Sequence, residues 1–272
     1  MIPGWGGDSG TRWRLVAIGG AIVACFLLID PWFADWVRGW PDGVVRVFRE
    51  LTDLGRSHWY LVPTGVGTIL FAALATRARG LRERQALVAI ALVCGFVFVA
   101  VASTGLLTTT LKYLIGRARP KLMDQEGTFG FAPLSVDSDF ASFPSGHANT
   151  AVAVAVCLIF LWPRCRLPMA AFAVVIAFSR VAVGAHYPSD VLAGGTLAVI
   201  TTAAWRRIFA SQRLVFMPTA EGSIVLRGWQ IRRWVWGRLR AEVRLDPRVP
   251  GRGTWLRRLG LPGGEMRNGR SR

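Results

Sequence analysis

Residues 86–108 read ALVAIALVCGFVFVAVASTGLLT, without one charged side chain. An α-helix crossing a bilayer needs ~20 predominantly apolar residues, and this run supplies them unaided. The rest of the chain follows suit. Its 272 residues are 52% hydrophobic, with mean hydropathy +0.38. Soluble domains reach about 45–50% apolar only when Gly is counted. Charged residues make up 18% and are clustered, so long charge-free runs alternate with short arginine-rich ones. That alternation is the pattern of a polytopic helical membrane protein.

Working outward from this run gives an all-α chain with six predicted transmembrane helices. On its N-terminal side lie Leu15–Ile29 and Trp59–Thr76, the second followed by Arg77, Arg79, Arg82 and Arg84. Arg12 and Arg14 lead into the first run, but no small-x-small cleavage site follows it. It reads as a retained helix rather than a signal peptide. On the C-terminal side lie Ala148–Trp162, Leu167–Ser179 and Val191–Trp205. Several runs fall short of ~20 residues, so polar flanks are expected to extend these helices into the headgroup zone. The loop from Asp30 to His58 holds Trp32, Phe33, Trp36 and Trp40, then Val44, Val45, Phe48 and Leu51 at helical spacing. It reads either as interfacial amphipathic helices or as an ordinary packed loop. His58 has no carboxylate motif beside it and reads as a structural surface residue.

The expected organisation is a flexible N-terminus over 1–14, a six-span domain over 15–209, and a basic, partly disordered tail over 210–272. From Arg206 onward, 16 Arg face Glu221, Glu242, Asp246 and Glu265, so the tail holds about +12 of the formal +17. Together with Arg12/Arg14, the Arg77–Arg84 loop and Arg164/Arg166, it marks the cytoplasmic face by the positive-inside rule. Both termini are then cytoplasmic, in a multi-pass inner-membrane protein. Ile231, Trp234, Val235, Leu239 and Val243 alternate with arginines in the tail, as in a basic helix lying on anionic lipid. Nucleic acid is the less favoured partner for that charge. Cys25, Cys94, Cys157 and Cys165 match no zinc spacing and read as small packing residues.

Three polar islands remain, all on the predicted outer face: Lys112-Tyr-Leu-Ile-Gly-Arg-Ala-Arg-Pro120, Pro144-Ser-Gly-His147, and Ser179-Arg-Val-Ala-Val-Gly-Ala-His-Tyr-Pro-Ser-Asp190. Lys112, Arg119 and Arg180 can supply the positive charge that a transferring phosphoryl group requires, and arginine's fork suits phosphate oxygens. Lys112 and Arg119 are two helical turns apart and are expected to share a face, with Arg117 offset from it. Ser145 is a favoured N-cap. Gly146 lets a backbone N–H approach an anion at a helix N-terminus, with His147 at the edge. His186 and Asp190 are four apart. A carboxylate can accept from one ring nitrogen and leave the other free to attack phosphorus. A charge such as Arg180 within an apolar run marks a functional site by default.

In this order the islands resemble the signature of the type 2 phosphatidic acid phosphatase superfamily, K-x6-RP, PSGH and SR-x5-H-x3-D. Every signature position is matched, within a core of residues 109–190. The resemblance implies a six-helix membrane lipid phosphatase with its active site at the outer ends of the core helices. It makes His186 the nucleophile that forms a phosphohistidine. His147 is then the general acid and later the base, and Asp190 orients His186. Lys112, Arg119, Ser145, Gly146 and Arg180 hold the phosphoryl oxygens. It implies no metal and no cofactor, a lipid phosphate as substrate, and the bilayer as partner. A lipid phosphotransferase is the near alternative. A non-enzymatic transporter or scaffold is the distant one.

Overall fold

The computed structural model describes residues 9–219 and 223–226, and those residues are mostly helical. The amphipathic helix expected near Ile231–Arg244 lies outside them. In chain order the helices are α1 (Ser9–Ala24), α2 (Asp30–Arg38), α3 (Asp42–Thr52), α4 (His58–Arg77), α5 (Leu81–Ile115), α6 (Met123–Glu126), α7 (Gly146–Leu161), α8 (Arg166–Ala182) and α9 (Pro188–Ser211). A helix covers each of the six predicted runs. By length and apolarity four stretches qualify as membrane spans: Arg12–Arg38, Asp42–Arg77, Leu81–Ile115 and Pro163–Ala182. Gly146–Leu161 is apolar but shorter. Their large apolar side chains, such as Leu28, Ile69, Leu106 and Val174, face outward and exposed, as on a surface solvated by lipid.

Two features differ from expectation. The first helix does not stop at Ile29. A π-helical turn over Cys25–Ile29 carries it straight into α2, so Asp30 sits within a continuous helical stretch rather than opening a loop. The all-α expectation also meets a small exception. Beyond α9, the strands β1 (Phe216–Pro218) and β2 (Ile224–Leu226) pair antiparallel, with Phe216 opposite Leu226. Phe216 is fully buried and stacks edge-on against Phe96 of α5, ring centroids 4.9 Å apart.

The core lies where α5, α7 and α9 meet. Small residues dominate it: Ala100, Ala153, Cys157 and Ala198 are completely buried. In a bilayer, lipid removes most of the hydrophobic drive for helix association, so small residues that allow close backbone approach favour packing. All four cysteines are free. Asn149 ties the three helices together, its Nδ2 donating to Thr104 Oγ1 (2.9 Å) and to the Gly194 carbonyl (3.0 Å). At 35 residues α5 is about 52 Å long, well beyond the ~30 Å hydrocarbon core. Lys112 lies in its last turn.

Candidate active site

The site forms where the C-terminal turn of α5, the N-termini of α7 and α9, and the α8–α9 turn converge. Gly116 ends α5 in the left-handed region, φ 63°, and its N–H bonds to the Lys112 carbonyl. A Cβ there would fall 1.8 Å from the Ala132 carbonyl oxygen, so only glycine fits. Because the helix stops, Lys112 and Arg119 do not share a helical face as the spacing had suggested. Lys112 stays on the last turn, its Nζ donating to the Ala141 carbonyl at 2.6 Å. Arg119 lies in the following loop, where its Nε donates to Ser138 O (2.8 Å) and its backbone N–H to Asp139 O (2.8 Å).

Ser145 sits at the N-cap position of α7 in extended conformation, as expected, but its side chain makes no capping bond. Its Oγ is buried and unpartnered. Its backbone N–H donates to the carbonyl of Asp190 (2.9 Å), pinning the start of α7 to the start of α9. Gly146 and His147 form the first turn of α7. Arg180, at the end of α8, is 8% exposed, donates from Nη1 to Thr52 Oγ1 (2.8 Å), and leaves Nε unpartnered. A Cβ on Gly146 would lie 3.8 Å from Lys112 Cε, and the Ser145 N–H and Arg117 Nη1 both reach Asp190, so the separate islands meet at one site.

His186 is 3% exposed, and burial pushes its imidazole down to about 3 despite the nearby Asp190 carboxylate. Its Nδ1 lies 3.7 Å from Asp190 Oδ2 and has no partner within hydrogen-bonding distance. The expected pairing is thus oriented but open by nearly an ångström relative to a normal hydrogen bond. Such bonds are often long without substrate and tighten in the reacting complex. With Nδ1 turned to the carboxylate, Nε2 is the nitrogen left for chemistry.

The carboxylate of Asp190 is fully buried and held on every side. Arg117 Nη1 donates to Oδ1 (2.6 Å), while Ser142 Oγ (2.6 Å) and the Tyr187 backbone N–H (2.9 Å) donate to Oδ2. Arg117, an offset candidate on spacing alone, proves to be completely buried. Its Nη2 donates to Asp30 Oδ2 (2.9 Å), and its guanidinium lies 4.1 Å from the Tyr187 ring centroid and 4.5 Å from that of Phe26. Asp30 is equally buried and accepts from the Ser189 backbone N–H (3.0 Å) and from Ser189 Oγ. Asp30, Ser142 and Ser189 were not predicted. The one available signal was a carboxylate following an apolar run at Ile29–Asp30. His58 lies exposed beside Trp59 and takes no part. Among the described residues no group of three or more His, Cys, Asp or Glu could hold a metal ion.

A chain with this site matches the family model of the PAP2 superfamily over residues 93–213. It is 33% identical over 219 residues to the lipid A 1-phosphatase of Rhizobium johnstonii, covering 78% of this chain and 86% of that protein. It is 34% identical over 194 residues to the lipid A 1-phosphatase of Rhizobium etli, covering 69% and 82%. A 60-residue stretch is 40% identical to the undecaprenyl-diphosphatase BcrC of Bacillus subtilis, 22% of this chain and 31% of that one. Among solved structures, a transmembrane PAP2-type phosphatidylglycerolphosphate phosphatase from Bacillus subtilis aligns with TM-score 0.47 and 22% identity, over 74% of this chain and 98% of that one. The chain therefore belongs to the PAP2 superfamily and is a membrane lipid phosphatase, a phosphoric ester hydrolase.

Proposed function

We propose that the chain removes a phosphate from a glycolipid of the lipid A type at the outer face of the inner membrane, without a metal, through a phosphohistidine on His186. The observation that carries this reading is the pair of His186 and Asp190, with Nδ1 turned to a carboxylate fixed by three donors. The anionic phosphate of the bound substrate first brings a proton onto His147; the neutral Nε2 of His186 then attacks phosphorus, and the bond to the leaving oxygen breaks as His147 delivers that proton. His147 then takes a proton from water, which attacks the phosphoryl group and releases His186. Lys112, Arg119 and Arg180 offset the charge on the equatorial oxygens, in the role a metal takes elsewhere. The orphaned Ser145 Oγ and Arg180 Nε and the N–H groups at the start of α7 complete the cradle. A buried unpartnered donor costs about 1–3 kcal/mol, and a phosphoryl oxygen would satisfy it. Six spans, cytoplasmic termini and an outward-facing site belong to the same proposal. The substrate class rests on the two Rhizobium relatives, which match across most of their length.

The test is phosphate release by purified protein in excess EDTA, from lipid A 1-phosphate, phosphatidylglycerol phosphate and undecaprenyl diphosphate, with rapid-quench labelling. Wild type should prefer lipid A 1-phosphate and carry acid-labile, base-stable label. His186→Ala should carry none. His147→Ala should turn over about 10²–10⁴-fold more slowly and accumulate label from p-nitrophenyl phosphate, whose leaving group needs little protonation. Label on His186→Ala with none on His147→Ala would reverse the two roles. Preference for another lipid in the panel would overturn the substrate class.

A further inference from the structure

Asp30 reaches the site from the first helical stretch, far in sequence from the signature islands, and touches neither histidine. Yet it shares Arg117 with Asp190: Nη2 goes to Asp30 (2.9 Å) and Nη1 to Asp190 (2.6 Å). Ser189, next to Asp190 in the chain, is also bound by Arg117 Nη1 (2.8 Å) and donates to Asp30 from both its backbone and its hydroxyl. All four side chains are completely buried. Two carboxylates and one guanidinium leave the cluster one negative charge in excess. Without Asp30, Arg117 would cancel Asp190 outright.

We propose that Asp30 is a positioning residue for phosphoryl transfer, engaging Arg117 so that Asp190 stays aligned on His186 and keeps an uncancelled negative charge. The role deepens the phosphohistidine reading and rests on it. When Nε2 of His186 bonds to phosphorus, the ring still holds its Nδ1 proton and becomes cationic. The cation forms beside Asp190 Oδ2 and faces Lys112 and Arg180, both positive. The excess negative charge of the cluster is what makes that step favourable in so basic a surround. A carboxylate that served only to seat α2 would be replaceable by its amide with no effect on the chemical step.

Asp30→Asn keeps the shape and one of the two accepting oxygens, exchanges the other for an amide donor, and brings the cluster to neutrality. Asp30→Asn/Arg117→Gln restores the single negative charge, now on Asp190 alone. The experiment measures single-turnover label transfer and steady-state kcat and KM for wild type and both variants, with thermal unfolding of each. Removing one charge next to a cation that forms in a water-poor site is expected to slow label transfer and kcat about 10- to 100-fold. KM should change less than about twofold, because no phosphate ligand is altered. The double variant should recover at least about fivefold over the single one, a reversal that loss of packing cannot produce. Wild-type kcat in folded Asp30→Asn, an effect confined to KM, or a double variant no faster than the single would each overturn the proposal. If Asp30→Asn does not fold, the double variant decides: kcat within about tenfold of wild type is expected, and a loss as deep as that of His186→Ala refutes it. Absence of label on wild type would instead count against the phosphohistidine, and kcat in the variants would still report on Asp30.

Discussion

Gly194 and Gly195 are neighbours on α9, and replacing each by alanine should have opposite consequences. A Cβ on Gly194 would sit 2.4 Å from the carbonyl oxygen of Ser145, where real Cβ contacts essentially never fall below 3.0 Å. Relief therefore needs a movement of at least ~0.6 Å, the difference of those two values. The obstacle is backbone and cannot rotate away. The same carbonyl accepts the first-turn bond from Asn149 (3.0 Å), and the Gly194 carbonyl accepts from Asn149 Nδ2 (3.0 Å), so the start of α7 moves as a unit. That unit carries Ser145, Gly146 and His147. Catalytic groups must be held within about 0.5 Å of productive geometry, and an ångström of misplacement costs about 10²-fold. Gly194→Ala should thus lower kcat/KM by about 10²-fold, with overpacking destabilising the fold by about 1–3 kcal/mol. A Cβ on Gly195 meets only Val152 Cγ2 at 3.4 Å, an ordinary contact. Gly195→Ala should keep its activity and gain up to about 1 kcal/mol from helix propensity. Turnover of p-nitrophenyl phosphate and thermal unfolding in detergent would report both. Equal activity in the two variants would refute the idea that backbone contact between α7 and α9 sets the catalytic geometry.

Two further outcomes are expected. The chain has three histidines, so ring carbon signals of labelled protein can be assigned by single substitutions. The His186 signal should stay at its neutral position from pH 8 to pH 5, because burial holds it down to about 3, and a midpoint above 6 would contradict this. The unfolded chain binds that proton near ~6.5, so the native state should lose stability on this account as pH falls from there toward about 3. Reporter fusions after Gly80 and after Arg213 should read as cytoplasmic and one near Asp137 as periplasmic, and a cytoplasmic signal at Asp137 would move the site to the inner leaflet.

What the sequence disclosed was residue type and order. Lys112, Arg119, Ser145, His147, Arg180, His186 and Asp190 stood out as candidates because charges and a histidine–carboxylate spacing at the ends of apolar runs have few other uses. The support beneath them was not. Counting turns from Lys112 carried the helix on to Arg119, whereas Gly116 could adopt the left-handed conformation that stops it, and the reason lies in the distant Ala132 carbonyl. Reading apolar runs ended the first span at Ile29 because an unpaired carboxylate there is expensive. The expense is met by Arg117 and Ser189, which are 87 and 159 positions away, beyond any local pattern. Arg117 itself read only as a cation offset from Lys112, since spacing cannot tell a cation facing solvent from one enclosed between two aromatic rings.

Those separations also set an order of assembly. A ribosome releases Asp30 long before Arg117, and Ser189 later still. The nascent first helix enters the bilayer with a carboxylate that nothing yet neutralises, a burden of up to about 2.5–3.5 kcal/mol for a charge at a helix centre. Arrival of Arg117 relieves part of it, and only the arrival of Ser189 at the start of α9 closes the cage. The last of the described helices to leave the ribosome thus seals the first one in place, and it carries Asp190 with it. A polypeptide cut short before α9 would lack both the carboxylate beside His186 and the latch for its N-terminal helix, so incomplete chains lose the proposed site and a tie on the first helix together.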